Sequence, residues 1–321
     1  MPYEIKGSKV LVTGGAGLVG SHIVDACINE GAKEVVVIDS LIRGKKSNLD
    51  WALKNGNVKF VKADITKPEA VIKAMKGCDY VFHEVAIRIT LCEKDPRSCQ
   101  EILVDGTFNV LEACIKNKIK KLVFASSASV YGESSYMPMD EKHPFNNLTA
   151  YGAGKIANEY MIRALGDMYD LKFNILRYFS VYGPRMDVDG VYTEVMIRFL
   201  DKLLAGKQPI IYGSGEQTID MTFVTDIAKA NILALKSDIC GEVFNVASAE
   251  ETSIKQLLSY MQQNAGTDLK PIYKKHPGKT HVDKRQASIE KIKKQLGWQP
   301  TVSPLEGLKK LVEWQKEVRK V

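Results

Sequence analysis

The chain predicts an α/β fold, a doubly wound parallel sheet with helices on both faces. Three observations lead there. Short apolar runs at 10–12, 34–38, 58–63, 80–83 and 121–125 read as buried strands. Helical patterns alternate with them, the clearest at 105–116, where Phe108, Leu111 and Ile115 share one face. A glycine-rich turn joins the first strand to the first helix.

In chain order, Val10, Leu11 and Val12 form the first strand, and glycines at 14, 15, 17 and 20 precede a helical pattern that begins at Ser21. Glycine at 14 permits the tight turn, glycine at 17 lets the backbone approach a pyrophosphate, and glycine at 20 lets helix and strand pack closely. Amides at the helix N-terminus then hold the phosphates. The second strand ends in Asp39, nineteen residues after Gly20, where a carboxylate accepts both ribose hydroxyls of NAD. Arg43 is near enough in sequence to face the 2′-phosphate of NADP, but Asp39 would repel that phosphate, which favours NAD. A helix including Leu49 and Leu53 follows. The third strand delivers Asp64 and Ile65 to the crevice, to border an adenine or, with equal weight, to close a surface turn. The fourth brings up Glu84, Val85 and Ala86, and the fifth ends in Ser126 and Ser127. Ligands of such a sheet bind at the carboxyl ends of its strands.

Twenty-four residues after Ser127, Tyr151-Gly-Ala-Gly-Lys155 opens a helix running to about Met168. Positions i and i+4 share a helical face, so the Lys155 ammonium is expected beside the Tyr151 phenol. An adjacent cation and the positive nicotinamide both favour the phenolate and lower a pKa of about 10 in free tyrosine, making Tyr151 a usable general base.

Bulk properties narrow the partners. The formal charge is +7, but the lysines are spread along the chain without interleaved aromatics, so no nucleic-acid partner is expected. The five histidines form no paired helical spacing; His276 and His281 share a predicted loop without carboxylate or thiol neighbours, and no metal site is expected. Six cysteines are scattered singly with no CxxC, which speaks against a disulfide framework and for a reducing cytoplasm. No stretch approaches the roughly eighteen apolar residues of a membrane span, and residues 1–7 lack the core of a signal peptide.

With TGGAGLVG at 13–20 and Asp39, the segments SSASVYG (126–132), YGAGK (151–155), LRYFSVYGPR (176–185), IIYGSGEQT (210–218), FVTDIAKA (223–230) and LGWQP (296–300) resemble the extended short-chain dehydrogenase/reductases, close to the NAD-dependent nucleotide-sugar epimerases. The likeness runs from Lys9 to beyond Leu308. It implies a Rossmann-like NAD-binding domain at 1–180 plus 222–250 and a smaller discontinuous α/β substrate domain at 181–221 plus 251–321. A helix at 223–236 and a strand at 243–246 would return to the first domain. It also implies a homodimer paired through the helices after Asp105 and Tyr151. Gly14, Gly17, Leu18, Val19, Asp39, Asp64, Ile65, Ala86, Tyr151, Lys155 and Tyr178 would hold NAD, while Ser127, Ser180, Val195, Tyr212 and Arg285 would hold a nucleotide sugar. In the family mechanism Tyr151 takes the proton from the sugar 4-hydroxyl, Ser127 bonds the same oxygen and Lys155 holds the nicotinamide ribose. A 4-keto sugar forms, turns over and is reduced on its other face.

Ala128 and Ser129 stand where dehydratases of the family carry the acidic pair of TDEVYG and decarboxylases a glutamate, so epimerisation at C4 of a UDP-sugar is the leading reaction. A nucleotide 4-keto-sugar reductase is the enzymatic alternative. A non-catalytic NAD-binding protein with a macromolecular partner is the other, against which the intact Tyr151 and Lys155 speak. Ile219, Ser180 and Leu103 replace an arginine and two asparagines usual in the family, and losing the arginine weakens the hold on a diphosphate unless another cation substitutes. Arg88 is expected to approach the sugar and to favour an acidic one, and Leu91, Tyr131 and Tyr192 are candidates to line its pocket.

Overall fold

A computed structural model describes residues 2–188, 194–275 and 284–319. Tyr192, His276 and His281 lie outside the described residues.

The strands are β1 (Lys9–Thr13), β2 (Glu34–Asp39), β3 (Val58–Lys62), β4 (Tyr80–His83), β5 (Lys121–Ser127), β6 (Phe173–Tyr178), β7 (Ser180–Tyr182), β8 (Ile210–Tyr212), β9 (Thr218–Phe223), β10 (Glu242–Val246), β11 (Glu251–Ser253) and β12 (Ile272–Lys274). Seven of them form one parallel sheet in the order β10-β6-β5-β4-β1-β2-β3. Chain order reverses between β1 and β4, so the crevice above their carboxyl ends is the switch point where such sheets take ligands.

The helices are α1 (Leu18–Asn29), α2 (Asp50–Asn55), α3 (Pro68–Met75), α4 (Ile89–Lys94), α5 (Pro96–Cys99), α6 (Gly106–Lys116), α7 (Ala150–Tyr169), α8 (Val195–Leu204), α9 (Val224–Lys236), α10 (Ile254–Ala265), α11 (Glu290–Leu296) and α12 (Pro304–Arg319). Alternation along β1 sorts the two faces. Val10 and Val12 pack with Ile23 and Val24 of α1 and Ile227 of α9, whereas Leu11 packs with Val71, Leu111 and Ile162 of α3, α6 and α7. Strands β7, β9 and β11 form a second sheet and β8 pairs with β12. Beside them a separate core of Met196, Phe199, Leu257 and Leu308 joins α8, α10 and α12.

The C-terminal segment is fastened to the large sheet through α9. The wholly buried Trp298 donates its indole N–H to Asp226 O at 3.0 Å, and the Asp226 carboxylate accepts from Thr301 N, Thr301 Oγ1 and Val302 N at 2.6–3.1 Å. Three donors are what a carboxylate needs to remain in a core.

Several local expectations change. Helix α1 begins at Leu18 rather than Ser21, because the extended backbone of Gly17 already caps it. The run 89–105, given no element from the sequence, is filled by α4, α5 and a π-helical turn at Gln100–Asp105, with Asp95 Oδ1 accepting from Ser98 N at 3.1 Å to start α5. That corner brings Cys92 and Cys99 into a disulfide, Cα atoms 4.9 Å apart, so two of the cysteines are not isolated after all. The remaining four are free thiols. No helix among the described residues is long and apolar enough to cross a membrane.

Candidate active site

The carboxyl ends of β1 to β6, with Val181, Met186 and Glu194 opposite, enclose a cavity of about 660 Å³. The glycine turn is its floor. Gly14 has φ +67°, and a Cβ there would stand 3.0 Å from Val85 N; a Cβ on Gly20 would stand 2.3 Å from Gly14 O. Both collisions are with backbone, so the turn lies against β4 and α1 only with glycine at these places. Asp39 Oδ2 accepts from Ala16 N at 3.0 Å and Oδ1 from Leu41 N at 2.8 Å, which fixes the carboxylate and leaves each oxygen a second lone pair. Asp64 Oδ1 closes a turn with Thr66 N at 2.9 Å, and the residue also lines the cavity beside Ile65. All eleven residues assigned to NAD from the sequence line this one cavity. A glycine floor, a helix start and fixed carboxylate acceptors are the set that a dinucleotide's pyrophosphate and ribose require.

Tyr151 enters from the first turn of α7, which Thr149 caps by accepting from Gly152 N at 3.1 Å. Its phenol stands beside Ser127 at the end of β5, whose hydroxyl donates to Ser129 Oγ at 3.2 Å and accepts from Ser129 N at 3.1 Å. Lys155 lies one turn on, its Nζ 6.0 Å from the Tyr151 ring centroid and donating to Ala125 O at 2.7 Å. The i,i+4 lysine by itself does not lower the phenol. Burial pushes the Tyr151 phenol up, opposed by the Ser127 hydrogen bond and the charge of Arg43. Lys155 is itself pushed down to about 8 by burial, with Glu84 and Glu159 opposing. Desolvation, invisible in a spacing rule, outweighs the hydrogen bond from Ser127 and the charge of Arg43.

Other charges gather at the cavity, and Asp187 among them was unforeseen. Arg88 Nη2 meets Asp187 Oδ2 at 2.5 Å and Arg43 Nε stands 3.8 Å from the same oxygen, so Arg43 reaches across the mouth instead of toward a ribose phosphate. Arg88 therefore meets an internal carboxylate, and the acidic-sugar expectation gains nothing from it. Glu84 lines the wall beside Tyr178. An acid ending a buried strand at the crevice was the signal for Glu84; none marked Asp187, which lies 99 residues from Arg88.

The substrate assignments are scattered. Val195 and Tyr212 line a second cavity, about 410 Å³, with Arg198, Gln217 and Ile219. Ser180 is exposed in β7 and Arg285 is enclosed with its Nε unpartnered, and neither lines either cavity. Of the pocket candidates, Leu91 lines the first cavity. Tyr131 does not: it is wholly buried, donates to Asn245 Oδ1 at 2.6 Å and accepts from Arg177. Leu103 is likewise core, packed with Cys92 and Cys99.

A fold with its switch-point cavity floored by a glycine turn and walled by Tyr151 and Lys155, with Ser127 behind the phenol rather than on the wall, defines a dinucleotide-dependent enzyme class, and the NAD dependent epimerase/dehydratase family matches residues 10–247. The chain belongs to that family, and NAD is its cofactor. Among individual proteins it is 39% identical to a putative UDP-glucose 4-epimerase of Methanocaldococcus jannaschii, over 96% of this chain and 98% of that one. Among solved structures it is similar to UDP-glucose 4-epimerase of Thermotoga maritima with UDP-glucose, TM-score 0.90, 34% identity, over 97% of this chain and 99% of that one. It is also similar to UDP-glucuronic acid 4-epimerase of Bacillus cereus with UDP-glucuronic acid and NAD, TM-score 0.89, 30% identity, over 97% and 99%.

Proposed function

We propose that the protein inverts C4 of a UDP-sugar. One observation carries this reading: a phenol and an ammonium from α7 line the cavity whose opposite end is the glycine turn and Asp39, and the Ser127 hydroxyl of β5 stands beside the phenol. The turn at Gly14 and Gly17 with Leu18 and Val19 would hold the pyrophosphate, Asp39 the adenosine ribose, and Lys155 with Tyr178 the other end. Bound NAD supplies the acceptor and donor for hydrogen at the sugar C4. Tyr151 takes the 4-hydroxyl proton and later returns it, Ser127 bonds the same oxygen, and Lys155 keeps two N–H donors beyond the one given to Ala125 O. No proton or electron is gained overall, so the residues end each cycle as they began.

The cavity holding Val195 and Tyr212 is our candidate for the nucleotide base, with Ser180 and Arg285 as outer contacts. The split into 1–180 plus 222–250 and 181–221 plus 251–321 is supported by the separate core around Phe199 and Leu308. A homodimer is supported by Phe108 on α6 and Tyr160, Met161, Met168 and Tyr169 on α7, large apolar side chains left exposed on the two helices in question. A cytoplasmic site is supported by the four free thiols Cys27, Cys78, Cys114 and Cys240, while the single Cys92–Cys99 disulfide speaks against it. NMR of UDP-, GDP-, CDP- and dTDP-sugars incubated with the protein tests the reading. A C4 epimer of a UDP-sugar supports it, and no change at any pyranose ring with NAD bound overturns it.

A further inference from the structure

Four charges at the mouth of the cavity have no part in that chemistry. Arg43 lies in the loop after β2 and Arg88 directly precedes α4, whereas Asp187 and Glu194 come from the chain between β7 and α8 on the facing wall. All four line the cavity together with Tyr151 and Lys155. Arg88 Nη2 donates to Asp187 Oδ2 at 2.5 Å, and Arg43 Nε stands 3.8 Å from the same oxygen. The Arg88 and Asp187 side chains are only 15% and 20% exposed, so salt screens this pair little. After burial, which raises it, and the neighbouring Ser127, the Tyr151 phenol is lowered by the charge of Arg43 and raised by that of Glu194. Those two charges therefore stand on the side of the reacting group.

The set is balanced, two guanidiniums against two carboxylates, and among the described residues Arg88 meets no acid other than Asp187. A sugar hydroxymethyl group adds no charge to it and can share its hydrogen bonds. A carboxylate on the same carbon has to draw Arg88 away from Asp187, or else stand beside two carboxylates without a cation of its own. The charge-assisted contact that would reward a second anion is thus already taken inside the protein. We propose that Asp187 is a specificity-determining residue: by occupying Arg88 it directs the site to UDP-sugars that are neutral at C6 and against their uronic counterparts. This rests on the function proposed above and names the substrate class of that same site.

Binding reads this without turnover. Calorimetric titrations with UDP-glucose and UDP-glucuronate are made on NAD-loaded Tyr151→Phe protein, chosen so that neither ligand is inverted, then with Asp187→Asn added, then with Arg88→Gln added to both. While Asp187 is present, UDP-glucose should bind the tighter. Asp187→Asn should shift the ratio of the two dissociation constants toward UDP-glucuronate by about tenfold, and Arg88→Gln should cancel that shift. Because the readout is a ratio on one preparation, a general loss of affinity or of folded protein does not move it. UDP-glucuronate binding as tightly as UDP-glucose while Asp187 is present overturns the inference, and so does a ratio that Asp187→Asn leaves unchanged. A protein that shows the expected shift, but whose parent inverts no UDP-sugar, counts against the proposed function and leaves this inference standing. A parent that inverts neutral and uronic UDP-sugars equally well does the reverse.

Discussion

Replacing Glu159 by glutamine breaks a buried ion pair and should cost about 3–5 kcal/mol of stability. The Arg177 and Glu159 side chains are only 4% and 3% exposed and meet at two points, Nε to Oε1 at 2.9 Å and Nη2 to Oε2 at 2.6 Å. Arg177 also donates to Tyr131 Oη at 2.9 Å and Glu141 O at 3.2 Å, and its guanidinium lies 4.9 and 5.0 Å from the rings of Tyr131 and Phe145. It cannot leave, so a neutral amide at 159 strands a guanidinium among aromatic rings. With an unfolding entropy of about 2.1 cal/mol/K per residue, 321 residues give about 0.67 kcal/mol/K, so Tm should fall by roughly 4–8 °C. Scanning calorimetry reads the shift directly. Converting the pair together, Glu159→Leu with Arg177→Met, should recover most of the loss, because the penalty arises from an unpaired charge. A Tm for Glu159→Gln within 1 °C of the parent, or a double variant melting below both singles, would refute the reasoning. Because Glu159 also accepts from Ser126, next to Ser127, the same variant should lower kcat/KM.

Three further outcomes follow. Tyr151→Phe should lose about 10²–10⁴-fold in kcat while NAD content and Tm, measured on the same preparation, stay at the parent's values. Gly20→Ala puts a Cβ 2.3 Å from Gly14 O, so it should cost about 1–3 kcal/mol and leave purified protein depleted of NAD by absorbance after gel filtration. Burial holds His83 down at about 3, between Thr13 Oγ1 at 2.6 Å and Thr107 Oγ1 at 3.0 Å, and holds His22 at about 4. Both are neutral when folded and protonate more readily when unfolded, so their stabilisation is complete above about pH 6.5. It is lost as pH falls toward those values, by about 1.4 kcal/mol per pH unit for each. Denaturant titrations from pH 7 to 4 should show that slope, and His83→Gln should flatten it.

The parts of the site legible in the chain were those with local causes. Gly14 and Gly20 announce a turn because no other residue tolerates the backbone 2.3–3.0 Å away, and Asp39 follows from the length of one strand-helix-strand unit. Tyr151 and Lys155 share a helical face by arithmetic. What escaped depends on distant segments meeting. Asp187 answers two arginines from other loops, and Cys92 reaches Cys99 only once α4 and α5 fold back on each other. Tyr131 reads as a pocket aromatic until Arg177 and Asn245 claim its hydroxyl. The direction of the Tyr151 shift escaped for the same reason, since the degree of enclosure is a property of the assembled walls.

The most direct measurement follows a label. A UDP-hexose carrying deuterium at C4, incubated with the NAD-bound protein, is recovered and read by NMR and mass spectrometry. Inverted product that keeps its deuterium at C4, with none formed by Tyr151→Phe, is the expected result. Inversion with deuterium lost to solvent, or undiminished inversion by Tyr151→Phe, would contradict removal and return of that hydrogen within one cavity under the control of Tyr151.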